Sequence, residues 1–195
     1  MDGREKLFIE ACVENNFKII QLSIRHGVDI HVEDDWCIEI VGRKGYSNLV
    51  NFFLENGISH SSAAKKAVLA HACYNRDIDL VKYLIQFNEY KEDLGAIAWA
   101  AGRSYEITEL MLGFLDNFDG AFCYAAASGD IKTLNLLIDN GIQNFDKSSK
   151  RSSFWAAERR KFHAVELILD NGIGSVENLG ENYAKMFELW KKDRI

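Results

Sequence analysis

The sequence predicts an all-α chain: a solenoid of about six stacked helix-turn-helix units closed by a C-terminal capping helix. Three observations predict it. The octapeptide NLLIDNGI at 135–142 returns as ELILDNGI at 166–173. Six apolar segments of common pattern start at 15, 45, 76, 103, 129 and 160, spaced by 26 to 31 residues. Upstream of each lies a second, shorter apolar run in which small residues gather. A period of that size is the signature of stacked supersecondary units, each too small to bury its apolar face alone.

The six segments are NNFKIIQLSIRHG, GYSNLVNFFLENG, RDIDLVKYLIQFN, RSYEITELMLGFL, GDIKTLNLLIDNG and RKFHAVELILDNG. Their apolar residues recur at the third, fifth or sixth, eighth and tenth places, the period of a half-buried helix. Four end in glycine (Gly27, Gly57, Gly141, Gly172) and the third ends in Asn88. Both residue types take the left-handed conformation that closes a helix.

The shorter runs are LFIEACVE, WCIEIVGR, AVLAHACY, GAIAWAAG, AFCYAAAS and SFWAAERR. Ala11-Cys12, Ala72-Cys73, Ala125-Ala126 and Ala156-Ala157 stand just before the next helix, where small side chains let backbones approach closely. Asp2, Asp35, Ser62, Asp93, Asp119 and Ser152 are the expected N-caps of these helices. At the C-terminus, ENYAKMFELWKKDRI puts Tyr183, Met186, Phe187 and Trp190 on one helical face and charges largely off it, which fits a polar lid, with an amphipathic membrane or partner helix as the alternative. Glu5, Lys6, Glu10 and Glu14 give the first helix a polar exterior too. The expectation is one domain over 1–195, with repeats at about 4–27, 35–57, 62–88, 93–115, 119–141 and 152–172 and the capping helix at 181–194.

The stretch AAASGDIKTLNLLIDNGI resembles the ankyrin-repeat pattern of an Ala-Ala pair, Gly-x-Leu, an apolar helix and a terminal glycine. The resemblance covers nearly the whole chain. With no proline anywhere, the Thr-Pro-Leu-His start of the family's first helix is absent, and each repeat is shorter than the usual thirty-three or so residues. This proline-poor, shortened style is similar to ankyrin-repeat proteins of giant DNA viruses. The shortening falls on the two middle junctions, where the family's projecting finger is expected to be lost. The fourth repeat departs most: Trp99 stands in a slot meant for alanine and Leu115 where glycine belongs. Phe114 and Phe118 in its tail GFLDNFDG are expected to tuck under the shortened junction, with an exposed hot spot as the alternative.

Composition and charge narrow the function. At 48% apolar and 27% charged residues, the chain should fold to a substantial core. It has no apolar run long enough to span a membrane and no signal-peptide core at MDGREKLF, so a cytoplasmic location without membrane partners is expected. The spacings of Cys12, Cys37, Cys73 and Cys123 fit reduced, buried thiols. The net charge of −6 disfavours nucleic acid as a partner. No phosphate loop, nucleophile elbow or His-Glu-x-x-His occurs, and the five histidines include no pair at four-residue spacing. Neither enzyme chemistry, a cofactor nor a metal is therefore expected. Glu33, Asp34 and Asp35 beside His31 read as a solvated loop and a helix cap. One basic cluster, Lys147, Lys150, Arg151, Arg159, Arg160 and Lys161, has three readings: solvated surface, a site for an acidic protein, or a nucleic-acid or phosphate site. Trp155 beside it is expected to face inward.

The resemblance implies a monomeric, non-catalytic scaffold that binds another protein through a concave groove. In the family that groove is read from finger tips and from the two residues after the Ala pair. Carried over, those positions are Val13-Glu14, Arg43-Lys44, Tyr74-Asn75, Ala101-Gly102, Ala127-Ser128 and Glu158-Arg159, with Asp35, Lys66, Asp93, Asp119 and Lys150 as finger tips. The set is chemically mixed, which fits one specific partner. A structural repeat with no dedicated partner is the remaining alternative.

Overall fold

Capping explains where the helices begin. In the computed structural model, which describes residues 2–57, 62–86, 95–141 and 148–194 (side chains excepted at 62–67, 95–96 and 148–150), helix α1 (Gly3–Val13) starts on a reciprocal cap. The Asp2 carboxylate accepts from the amides of Arg4 and Glu5 at 2.7 and 2.9 Å, and the Asp2 amide donates to Glu5 Oε2 at 2.6 Å. Two of the other first helices start differently from expectation. Asp119 is the first residue of its helix, after Phe118 at the cap position, and Ser152 lies inside its helix, buried against Cys123 with Oγ and Sγ 3.1 Å apart. Short polar side chains cap the second helices instead: Asn16, Asp77, Ser104 and Asp130 each accept from the amide three residues on. All four sit at the second place of the segments read above.

Among the described residues the chain forms thirteen α-helices and one 3-10 turn, Val176–Leu179, with no strand. It divides into two compact units, Met1–Glu92 and Asp93–Ile195. In the first, α1 pairs with α2 (Phe17–Arg25), α3 (Val32–Arg43) with α4 (Ser47–Glu55) and α5 (Ser62–Asn75) with α6 (Ile78–Ile85), and α3 lies between α1 and α5. In the second, α7 (Gly95–Ala101) pairs with α8 (Tyr105–Met111), α9 (Asp119–Ser128) with α10 (Ile131–Asp139) and α11 (Ser148–Glu158) with α12 (Phe162–Asp170). There α9 lies between α7 and α11, and α10 contacts both α8 and α12. The last helix, α13 (Glu181–Lys192), packs on α11.

Each core is built from the apolar stripes and the small-residue slots. Phe8, Ile38, Phe53 and Leu69 are fully buried in the first unit, and Ile97, Phe122, Leu137 and Phe187 in the second. Burying one such side chain contributes about 1.5–3 kcal/mol. The slots hold Ala11, Val41, Ala72, Ala125 and Ala156, all buried. Backbones do approach closely there: a Cβ at Gly42 would stand 3.1 Å from Val68 Cγ2. All four cysteines are buried, and none is in a disulfide.

Five of the six inter-helix turns repeat one backbone closure. The cap amide of the second helix donates to the slot carbonyl of the first: Asn16 to Ala11, Tyr46 to Val41, Asp77 to Ala72, Asp130 to Ala125 and Lys161 to Ala156, at 2.7 to 2.9 Å. The residue before each cap is left-handed, with φ of 57° at Asn15, 74° at Gly45, 60° at Arg76, 77° at Gly129 and 57° at Arg160. The fourth turn differs. Ser104 donates to Ala101 at 3.2 Å, and none of residues 102–104 has positive φ. Helix ends follow the glycine pattern, with Gly27, Gly57, Gly141 and Gly172 all left-handed, whereas α8 stops at Met111 and its tail folds inward. Leu115 and Phe118 are buried there and Phe114 is half-buried, so the tail of the fourth repeat belongs to the core. Asn88 lies outside the described residues.

Candidate functional site

The turns place the exposed polar residues side by side within each unit. Arg43 and Lys44 end α3, exposed, with the Arg43 guanidinium donating to Glu39 Oε1 at 2.5 Å. Tyr74 and Asn75 end α5, Tyr74 at 55% exposure. These two ends meet: a Cβ at Gly45 would lie 3.1 Å from Asn75 Nδ2, and Ser47 Oγ donates to the Asp77 carboxylate from the next turn. The expected residues Arg43, Lys44, Tyr74 and Asn75 thus form one contiguous surface. His71 shares it from one turn back on α5, its pKa held below the ordinary value first by burial and then by Arg43, with Glu39 opposing.

In the second unit, Ser128 is exposed at the end of α9 and donates to the Ala125 carbonyl at 3.0 Å. The next turn carries Glu158 and Arg159, both exposed. The two turns touch where the stem of Lys161 lies over Gly129, whose Cβ would fall 2.8 Å from Lys161 Cδ. Ser128, Glu158 and Arg159 are therefore neighbours, while Ala127, Ala101 and Gly102 are buried.

Two finger-tip residues are placed away from open solvent. Asp35 is buried, at 4% exposure, and its Oδ1 lies 2.7 Å from His31 Nδ1. It sits at the end of a left-handed turn through Glu33, Asp34 and Asp35, with φ of 55°, 52° and 65°, before the regular part of α3 begins. Its carboxylate serves His31 and caps no helix amide. Asp119 is half-buried. Asp93 and the side chains of Lys66 and Lys150 lie outside the described residues, as does Lys147.

Neither Trp99 nor Trp155 stands as its sequence context suggests. Trp99 does not fill an alanine slot: it turns outward at 40% exposure while Ala98, Ala100 and Ala101 take the buried positions. Trp155 does not face wholly inward either. It is half-buried, and its ring centroid lies 5.4 Å from that of Trp99, with the rings tilted at 46°. Trp36, Glu39 and Arg43 on α3 form a comparable outward face, readable in retrospect from their three- and four-residue spacing off the apolar stripe. Among the described residues no group of three or more His, Cys, Asp or Glu gathers at metal-binding range, and no helix is long and apolar enough to cross a membrane.

Comparison of the chain with protein-family profiles, with curated proteins and with solved structures found no match.

Proposed function

We propose that the chain is a non-catalytic protein–protein interaction scaffold whose helical hairpins are ankyrin-like repeats, three in each unit. One observation carries the reading: five turns share the same closure and the same left-handed residue, and the positions presented just before that residue differ in every hairpin. A constant backbone displaying variable side chains is how repeat scaffolds separate fold from recognition. Arg43, Lys44, Tyr74 and Asn75 present the aromatic and arginine chemistry that carries most interface energy. On this reading the partner meets the inter-helix turns and the open faces of the first helices.

The test begins with proximity labelling in the native cell to identify a partner, followed by quantitative capture. Replacing Arg43, Lys44 and Tyr74 together with Ala weakens capture at least tenfold, about 1.4 kcal/mol. Replacing Lys18 and Lys82, exposed on second helices, leaves it unchanged. Loss of binding in the Lys18/Lys82 variant with retention in the turn variant overturns the assignment of the surface.

A further inference from the structure

The open face of the second unit carries a built aromatic platform flanked by arginines. Its floor is Gly120 on α9, where a Cβ would stand 2.6 Å from Trp99 Cδ1. Over that floor Trp99, from α7, meets Trp155, from α11. On α11, Arg151 and Arg159 stand four residues either side of Trp155, so the three share one face. Arg159 continues that helical path, its amide donating to the Trp155 carbonyl at 3.1 Å. Just past the end of α7, Arg103 holds its guanidinium 5.2 Å from the centroid of Tyr124 on α9.

Two half-covered indoles on the face that carries Arg151 and Arg159 form a surface that apolar and anionic groups can enter together. Its sign runs against the chain's net charge of −6, so the arginines are a local concentration and do not follow from a basic protein. Two acids adjoin it along the chain, Asp119 before Gly120 and Glu158 before Arg159, and they bear on the choice between anionic partners. A uniformly charged phosphate backbone would meet both as repulsion. A peptide offers backbone N–H donors to those carboxylates and spaced carboxylates to the arginines.

We infer that the Trp99–Trp155 platform, with Arg151 and Arg159, is a docking site for an acidic peptide segment bearing apolar side chains. This rests on the scaffold reading above and adds the chemistry of the partner. The indoles take the apolar side chain, and the flanking guanidinium groups take carboxylates on either side of it, in bidentate geometry where the segment allows.

The experiment selects randomised peptides displayed on phage against the immobilised full chain. Enriched sequences are rich in Asp and Glu around Leu, Phe or Tyr. The best of them, made as a free labelled peptide, binds with quenching or a shift of tryptophan fluorescence and loses at least tenfold in affinity to the R151E/R159E variant. A Trp99→Leu variant weakens it as well, and circular dichroism verifies that both variants keep their helix content. Neutral or basic selected peptides, equal affinity for R151E/R159E, or tighter binding of a mixed-sequence single-stranded oligonucleotide at the same salt overturns the inference. If R151E/R159E retains the cellular partner while the Arg43/Lys44/Tyr74 variant loses it, the scaffold reading stands and this site falls. If neither variant affects capture, both fall.

Discussion

Trp99 stands directly over Gly120, so near that a Cβ on residue 120 would lie 2.6 Å from the indole Cδ1 and 2.9 Å from the Trp99 backbone nitrogen. Just past the end of α7 the chain meets α9 again at Gly102, where a Cβ would lie 2.5 Å from the Ala121 carbonyl oxygen. A bulky outward residue and two glycines are thus one packing solution for α7 against α9. The departures that mark the fourth repeat in the sequence compensate one another.

Adding single methyl groups tests that solution. Gly120→Ala destabilises by about 1–3 kcal/mol in urea denaturation, the range of an overpacked contact. Gly102→Ala costs at least as much, because its obstacle is backbone and cannot swing aside. Combining Trp99→Leu with Gly120→Ala recovers part of the loss, and combining it with Gly102→Ala recovers none. Equal recovery in both pairs would show that the indole is not what Gly120 accommodates.

The left-handed turn residues supply a second prediction. Arg76 and Arg160 hold φ of 60° and 57° that glycine adopts freely in the equivalent turns at Gly45 and Gly129. Arg76→Gly and Arg160→Gly each stabilise by about 0.5–1 kcal/mol, since relief of left-handed strain exceeds the added chain entropy. Gly129→Ala moves the other way, with strain added and the Lys161 stem displaced. Calorimetric unfolding of the three variants reads the signs directly.

Much of this architecture was legible in the chain because helix period, terminal glycine and small-residue slot are local signals that all pointed to the same hairpin. Twelve helices stand where the two sets of apolar runs placed them, and α13 follows where a last helix is expected. Phe187 of α13 is buried, and Tyr183 and Trp190 contact Phe154 and Phe162. What escaped sequence reading depends on contacts between hairpins. Trp99 looked like a misfit because its partner, Gly120, lies on the next hairpin, and Asp35 looked like an exposed cap because nothing local foretells three successive left-handed residues. Of the candidate site, exposure at Arg43, Lys44, Tyr74, Ser128 and Arg159 followed from their place in the turns. Their neighbour His71 needed the third dimension.

The fourth turn is the expected weak point in hydrogen exchange. It lacks both the closing bond to the slot carbonyl and the left-handed residue that the other five share. Amides of Arg103, Ser104 and the first turn of α8 exchange sooner than the corresponding amides around Asp77 and Asp130. Equal protection at all three turns would remove the link between closure and local stability.

His71 gives the first unit a pH dependence. Its folded pKa lies below the ordinary 6.5, chiefly through burial and next through Arg43. The unfolded chain therefore binds the proton more readily, so the neutral ring's contribution is fully present above pH 6.5 and declines as the pH falls toward the folded value. His71→Gln flattens the loss of stability on acidification below pH 6.5, and Arg43→Ala flattens it partially. Chemical denaturation at a series of pH values measures both slopes, and unchanged slopes in both variants would exclude His71 as their source.

The buried thiols make the last prediction. Burial pushes the Cys73 pKa up to about 12 from an ordinary 9.0, and burial likewise raises that of Cys123. Only the thiolate attacks an alkylating reagent. At pH 8 the three-decade gap leaves roughly a thousandfold fewer thiolates at native Cys73 than in the unfolded chain. Cys73 lies in the small-residue slot beside Ala72, so a reagent must also open the packing of α5 to reach it. Iodoacetamide labels Cys73 within minutes in urea and at the rate of transient opening in buffer, as read by mass spectrometry of the labelled peptide. Rapid native labelling at Cys73, with Cys12 and Cys37 still protected, would show that α5 opens independently of α1 and α3.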